Sequence, residues 1–340
     1  MTQIRAIVYG VGLSNRIATR LMVEDGVQVV GAVNRSGQKI GKDLGILAGL
    51  GYPLGVPVSD DPEAVLSTRA DIVHVAVCDD MERGFPIYKQ CLEHGINVLT
   101  IGGFASYPWR ISPELAQHLD KLAKTHGVTI TGTGNQDFFM LNLGTLMSGV
   151  CHRLYRMTHR SLTDINKSGP EVAKLAYVGE SADEVDGSIT HQIQSIYAAL
   201  WENVVAVLGL TVLEMTETRE PIVADTEFYC DSLGHMIESG RIIGVVHKVN
   251  VSTKEKLQLV GENTLRLCKE GEEEFKEWLI EGEPDLAIRI TRLDNAFTTV
   301  SQSVNRIPDV INAEPGYVTL EQLPKLTFRK NPLSAYVRKV

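Results

Sequence analysis

The chain has 340 residues, a net charge of −9 and 44% hydrophobic residues, a globular composition with length enough for two domains. Acidic residues outnumber basic ones and no basic block compensates, which argues against nucleic acid or an anionic membrane as partner. Five cysteines without metal spacing, no charged leader before the first strand and no apolar run near the roughly 20 residues of a membrane helix lead us to expect a cytoplasmic protein that holds no metal.

The first β-prone run, Ile4 to Tyr9, breaks into Gly10-Val11-Gly12-Leu13-Ser14-Asn15 and continues as a helix-compatible segment, Arg16 to Glu24. A nucleotide-binding βα turn begins in this way. Gly10 permits the tight turn, and Gly12 lets backbone N–H groups approach a pyrophosphate at the helix N-terminus. Asn15 stands where the third glycine of such a turn usually sits. A second strand, Val27 to Val33, ends at Asn34-Arg35-Ser36, the place where an acid would read the ribose of NAD. No acid is there. Arg35 and Ser36, with Lys39 one helical turn on, point to NADP(H) rather than NAD(H) as cofactor.

Alternation continues with a helix near Ile40 to Ala48, a short strand at Pro57-Val58, a helix from Asp61 to Ser67 and a strand from Ile72 to Val77. A helix from Pro86 to Glu93, strand Asn97 to Ile101, helix Pro113 to His126 and strand Thr129 to Gly132 follow. Helices that stop at glycine before β-branched runs indicate βαβ crossovers, hence an α/β, Rossmann-type doubly wound parallel sheet. Beyond Gly134 the pattern changes. A helix from Asn142 to Cys151 and another from His191 to Leu208 accompany long strands at Leu154 to Leu162, Val212 to Thr218, Ile242 to Val251, Leu257 to Leu267 and Asp285 to Leu293. Long strands without alternating helices predict an α+β domain with a mixed sheet. A helix from Ala296 to Asn305 precedes a return to the first domain at Pro308. The expected division is therefore 1–140 with 308–340 for the dinucleotide, and 141–307 for substrate and dimerisation.

The order of motifs resembles the 2,4-diaminopentanoate dehydrogenases and the related native amine dehydrogenases, whose first domain is similar to dihydrodipicolinate reductase. The likeness rests on the Gly10-Val11-Gly12 turn, Gly41-Lys42-Asp43-Leu44-Gly45, the block from Gly95 to Thr100 with Tyr107-Pro108-Trp109, and Ser112-Pro113-Glu114-Leu115. It extends through Gly132-Thr133-Gly134, Thr218-Arg219-Glu220-Pro221 and Ile311-Asn312-Ala313-Glu314-Pro315-Gly316. The resemblance implies oxidation of a primary amine to a ketone and ammonia by hydride transfer to NAD(P), or the reverse, in a homodimer. It also implies that Ala76 to Asp79, with Val77 and Cys78 between them, line the cofactor, that Ile101 and Gly102 border the nicotinamide, and that Asn312 approaches its carboxamide.

Two departures bear on the chemistry. Family members carry a Glu pair before Tyr107-Pro108-Trp109, one member facing the amine, whereas this chain has Gly102-Gly103-Phe104-Ala105-Ser106 and no carboxylate. The family's Asn-Pro-Gly-Phe after Gly134 is here Asn135-Gln136-Asp137-Phe138-Phe139. Making or breaking an imine needs an acid or base within reach, so Asp137 is the expected replacement, a helix cap being its alternative role. Phe138 and Phe139 are expected to wall a small-substrate pocket. Tyr107, His159, Tyr177, His191, Thr298 and Asn305 are further expected substrate contacts, and the run Glu272-Glu273-Glu274 is expected to be a solvated turn or edge. Reduction of a preformed imine without ammonia exchange, or an NADP-binding sensor without turnover, are the alternative readings.

Overall fold

The computed structural model describes residues 3–183, 185 and 195–338. The chain divides into two compact units, Met1–Leu141 with Ala296–Val340, and Asn142–Asn295. In the first, strands and helices alternate as β1 Arg5–Tyr9, α1 Leu13–Glu24, β2 Gln28–Val33, α2 Leu44–Ala48, β3 Val58–Ser59, α3 Pro62–Leu66 and β4 Ile72–Val75. They continue as α4 Met81–Glu93, β5 Asn97–Thr100, α5 Pro113–His126 and β6 Thr129–Gly132. The strands lie in the order β6-β5-β4-β1-β2-β3, with Gly316–Tyr317 beside β6, and every pair is parallel. The order reverses between β4 and β1. Their carboxyl ends therefore form the switch-point crevice in which open α/β sheets take ligands.

Local chemistry sets the helix boundaries. α2 starts only at Leu44, because the Asp43 carboxylate caps it through Gly45 and Ile46 and also collects the N–H groups of Leu54, Gly55 and Val56. α4 starts five residues before Pro86, capped by Asp80 on Arg83 N–H at 2.7 Å, and runs through the proline. The helix expected at Ala296 to Asn305 is longer, Asn295–Asn312, and Pro308 does not end it. Val300, Val304, Ile307 and Val310 continue one apolar stripe across the proline and are buried with Ala6, Val8, Ala18 and Met22. The chain thus returns to the first unit at Ala296, not at residue 308.

The second unit carries a mixed six-stranded sheet. Its strands are β7 Arg153–Asp164, β8 Val212–Val223, β11 Ile242–Thr253, β12 Gln258–Arg266, β13 Phe275–Glu283 and β14 Leu286–Ile290, in the order β14-β13-β7-β12-β11-β8. β7 and β12 are parallel and the other neighbours antiparallel. A separate hairpin pairs β9 Phe228–Cys230 with β10 His235–Ile237. The sequence reading missed β13. Glu274, expected in a solvated turn, is buried just before it, takes the Asp164 N–H at 3.0 Å and pairs with Lys167 at 3.2 Å. Helix Ile196–Leu208, capped by Ser195, packs on the sheet and seats Trp201 over Gly261, where a Cβ would lie 2.5 Å from its Nε1. His191 lies outside the described residues.

Candidate active site

Gly10 follows β1 with φ +88°, and a Cβ there would lie 2.5 Å from the Ala76 carbonyl oxygen, so only glycine fits between β1 and the loop after β4. A Cβ on Gly12 would meet nothing within 4 Å, so this part of the turn faces open space. α1 begins there with no side-chain cap and no acid in its first turn, which leaves its leading N–H groups for an anion. The arrangement fits a dinucleotide pyrophosphate.

Asn15 is fully buried and does not mimic glycine. Its amide nitrogen donates to the carbonyls of Tyr9 at 2.9 Å and Gly10 at 2.6 Å, and its oxygen meets His74 Nδ1 at 2.5 Å. His74 Nε2 in turn lies 2.8 Å from Ser303 Oγ. Burial holds His74 down at about 4, so its ring is neutral at physiological pH and acts as a spacer between the turn and helix Asn295–Asn312. At the end of β2, Asn34 Oδ1 accepts from Val11 N–H at 3.0 Å and its Nδ2 donates to Ser36 O at 2.7 Å. Arg35 and Ser36 are exposed, and Lys39 Nζ donates to Val11 O at 2.6 Å. Leu13 and Ser14 open α1, Leu13 being 55% exposed.

Beside this turn the loops after β4 and β5 lock together. Gly102 N–H donates to Thr100 Oγ1 at 3.0 Å, and a Cβ on Gly102 would lie 2.8 Å from Cys78 O. Gly103 N–H donates to Asp79 Oδ1 at 2.9 Å, and Phe104 N–H to Asp79 O at 3.3 Å. Ala76 and Cys78 are half-buried, Val77 is exposed, and Ile101 continues the ladder to Val75 O. Tyr107 is half-buried on the turn that follows, while Trp109 packs edge-on against Tyr317 at 5.8 Å.

The loop after β6 corrects the expectation for Asp137. Its side chain is wholly buried and held by two hydrogen bonds from Arg306, Nε to Oδ2 at 2.6 Å and Nη2 to Oδ1 at 2.8 Å, with Thr133 Oγ1 at 3.1 Å. Both carboxylate oxygens are therefore occupied inside the protein, and neither is open to a substrate. Phe139 is also buried, packed edge-on to Phe138 at 5.2 Å, so it is core and not pocket wall. Phe138 is half-buried, its N–H on Gln302 Oε1 at 3.0 Å. Thr298 donates to Asn135 Oδ1 at 3.0 Å, and Asn305 lies half-buried two turns further along the same helix. Asn312 cannot serve the carboxamide. It bonds Tyr336 O and Arg338 N–H, both at 2.8 Å, at the end of the helix whose next residues approach Thr129, at the amino edge of β6.

Comparison with known proteins decides the family. The model of the 2,4-diaminopentanoate dehydrogenase C-terminal domain matches residues 138–337, more than half of the chain. The chain belongs to the 2,4-diaminopentanoate dehydrogenase family. It is 25% identical to the 2,4-diaminopentanoate dehydrogenase of Acetoanaerobium sticklandii, covering 95% of this chain and 94% of that one. The amine dehydrogenase of Streptomyces virginiae is 22% identical, with 94% and 96% covered. The solved amine dehydrogenase from Mycobacterium smegmatis is 39% identical, covers 97% of this chain and 98% of its own, and superimposes with a TM-score of 0.92. This family member is thus an oxidoreductase with a Rossmann-type domain.

The second unit holds a largely buried polar row of its own that sequence reasoning found only in part. Strand register places Lys276, Ser161, Asn263, His247 and Arg219 side by side across five strands. His159 sits one step along β7, its Nδ1 3.1 Å from Asn263 Oδ1 and its ring edge-on to Trp278 at 5.1 Å. Burial, with Lys276 nearby, holds His159 down at about 3, so it is neutral and no acid at physiological pH. Among the described residues, His159 Nε2 and Asn263 Nδ2 are buried without a hydrogen-bond partner. Tyr177, at φ 55°, lies under the Arg219 guanidinium at 4.9 Å. The missed members had a readable sign: His247 interrupts Val245, Val249 and Val251 at an inward-alternating position. Among the described residues, no cluster of three or more His, Cys, Asp or Glu could hold a metal, and no helix is long and apolar enough to cross a membrane.

Proposed function

We propose that the protein is an NADP(H)-dependent amine dehydrogenase that oxidises a small primary amine to a carbonyl compound and ammonia, or aminates the carbonyl in reverse. The observation that carries the reading is the open glycine turn before α1, in a chain 39% identical to an amine dehydrogenase over 97% of its length. When bound, the nicotinamide supplies the hydride exchange. Gly10, Val11, Gly12 and the first turn of α1, with Leu13 and Ser14, hold the pyrophosphate. Asn15 keeps the turn in place from below. Arg35 and Ser36, exposed beyond β2 where no carboxylate stands, receive a 2′-phosphate, and Lys39 adds charge to the same loop.

Ala76, Val77, Cys78, Ile101 and Gly102 line the nicotinamide end. Tyr107, Phe138, Thr298 and Asn305 are the substrate contacts of this reading. The protein works as a homodimer on small molecules in the cytoplasm, and sedimentation at micromolar concentration checks its assembly. The enzyme assay follows NADPH and NADH consumption with small ketones and aldehydes, with and without ammonium. Ammonium-dependent turnover that favours NADPH is expected. Carbonyl reduction indifferent to ammonium overturns the amine reading, and equal use of NADH overturns the cofactor preference.

A further inference from the structure

Exchange between an amine and a carbonyl needs a group that takes protons from, and returns them to, the substrate nitrogen. Residues 101–109 hold no carboxylate, and Asp137 is clamped by Arg306. Asp80, next in the loop after β4, is committed to capping α4 through Arg83 N–H. Asp79 is differently placed. It belongs to the loop after β4, at the carboxyl edge of the strand bordering the switch point, and its side chain is exposed. Oδ1 receives the Gly103 N–H at 2.9 Å, which draws the carboxylate onto the segment after β5. Among the described residues, Oδ2 receives no hydrogen bond.

The platform beneath it is stiff. Gly102 admits Cys78 O where a Cβ would lie 2.8 Å away, and Gly132 admits the Ala105 backbone where a Cβ would lie 2.3 Å away. Tyr88 OH fixes Thr100 Oγ1 at 3.1 Å, and that oxygen takes the Gly102 N–H. One oxygen of Asp79 is thus positioned by a rigid loop while the other stays open, an arrangement suited to proton exchange.

We propose that Asp79 is the carboxylate that exchanges protons with the substrate nitrogen, an inference that rests on the amine dehydrogenase reading. In oxidation it takes one proton from the substrate ammonium. The C–H bond then gives its electron pair and hydrogen to the nicotinamide while the nitrogen lone pair forms the C=N bond. Asp79, being exposed, releases its proton to solvent. Water adds to the iminium carbon, and Asp79 relays a proton from that oxygen to nitrogen. The C–N bond breaks as Asp79 takes the hydroxyl proton and passes it to the departing ammonia, leaving the carbonyl compound and ammonium ion. The sum is ammonium-form amine, NAD(P)⁺ and water giving carbonyl compound, ammonium ion, NAD(P)H and one proton.

Asp79→Asn tests this, because its amide oxygen still accepts the Gly103 N–H. Asp79→Glu restores a carboxylate. For Asp79→Asn we expect ammonium-dependent kcat to fall about 100-fold or more, the scale of a general acid–base contribution, with loss of the acidic limb of the pH profile. NADPH affinity by fluorescence titration and the melting temperature should be unchanged, and calorimetry should show that isopropylammonium binding to the NADP⁺ complex loses its pH dependence. Asp79→Glu should recover the limb. Asp79→Asn turnover within a few-fold of wild type with the limb intact overturns the assignment to Asp79 and leaves the amine reading standing. A loss of kcat that follows lost NADPH binding or lower melting overturns it in favour of a structural role. A wild type that neither turns over with ammonium nor binds isopropylammonium overturns both.

Discussion

Asp137 shows how little a residue's chemical capacity says about its task. As a carboxylate on the loop after β6 it has the right chemistry for proton transfer, yet Arg306 takes both its oxygens inside the protein. Arg306 also pairs with Asp309 at 3.1 Å and donates to Pro324 O, so the cluster ties the loop after β6 to the return helix and the C-terminal segment. Truncating one member leaves a buried charge uncompensated. Asp137→Ala is therefore expected to lower unfolding stability by about 3–5 kcal/mol in urea, a loss that follows the ion pair. Unchanged stability with a collapsed kcat would restore Asp137 to the chemistry. Asn15 shows the opposite case: the third-glycine position of the turn was legible, but its new role was not. Asn15, His74 and Ser303 come together from three distant segments, and no local pattern announces such a chain.

Among the elements, the return helix Asn295–Asn312 is the clearest difference between sequence pattern and structure. Pro308 reads as a terminator, because proline removes a helix hydrogen bond and crowds the preceding turn. Tertiary burial outweighs that cost, since Val304, Ile307 and Val310 are all within the first unit's core. Ile307→Ala should cost about 2–5 kcal/mol if the helix is anchored there, measured by chemical unfolding. A change below 1 kcal/mol would show that the segment beyond Asn305 is dispensable to the core. Strands β1 to β6 were read to within about two residues, because each is a short β-prone stretch between turn signals, whereas Gly316–Tyr317 beside β6 was not read. β13 was not, because Phe275–Glu283 follows an acidic run and groups its charged and apolar residues without a period of two, and its partners lie in β7 and β14.

At the scale of the whole molecule, three buried histidines couple stability to pH. His74, His159 and His247 are held at about 4, 3 and 3, each chiefly by burial, against 6.5 in an unfolded chain. The folded protein keeps them neutral while the unfolded chain takes up protons as pH falls below 6.5. Their contribution is complete above that pH and is lost progressively towards pH 4 and below, by up to about 1.4 kcal/mol per pH unit for each. Denaturant unfolding at pH 7.5, about 6 and about 5 should show stability falling, with a smaller slope once His247 is replaced by Asn. A flat profile would mean that these rings gain protons in the folded state.

The sequence by itself determined the two-part architecture, the position of the glycine turn after β1 and the family, because each rests on local periodicity, glycine at turns or motif order along the chain. The tertiary structure alone decided which carboxylate is locked and which is open, where the return helix ends, and which polar residues share the second sheet's buried row. Those properties depend on partners tens to hundreds of residues away, such as Asp137 with Arg306 or Asn15 with Ser303 through His74. The charge of a side chain is written in the sequence. Whether that charge is spent on a buried partner or left facing solvent is set only when the segments pack.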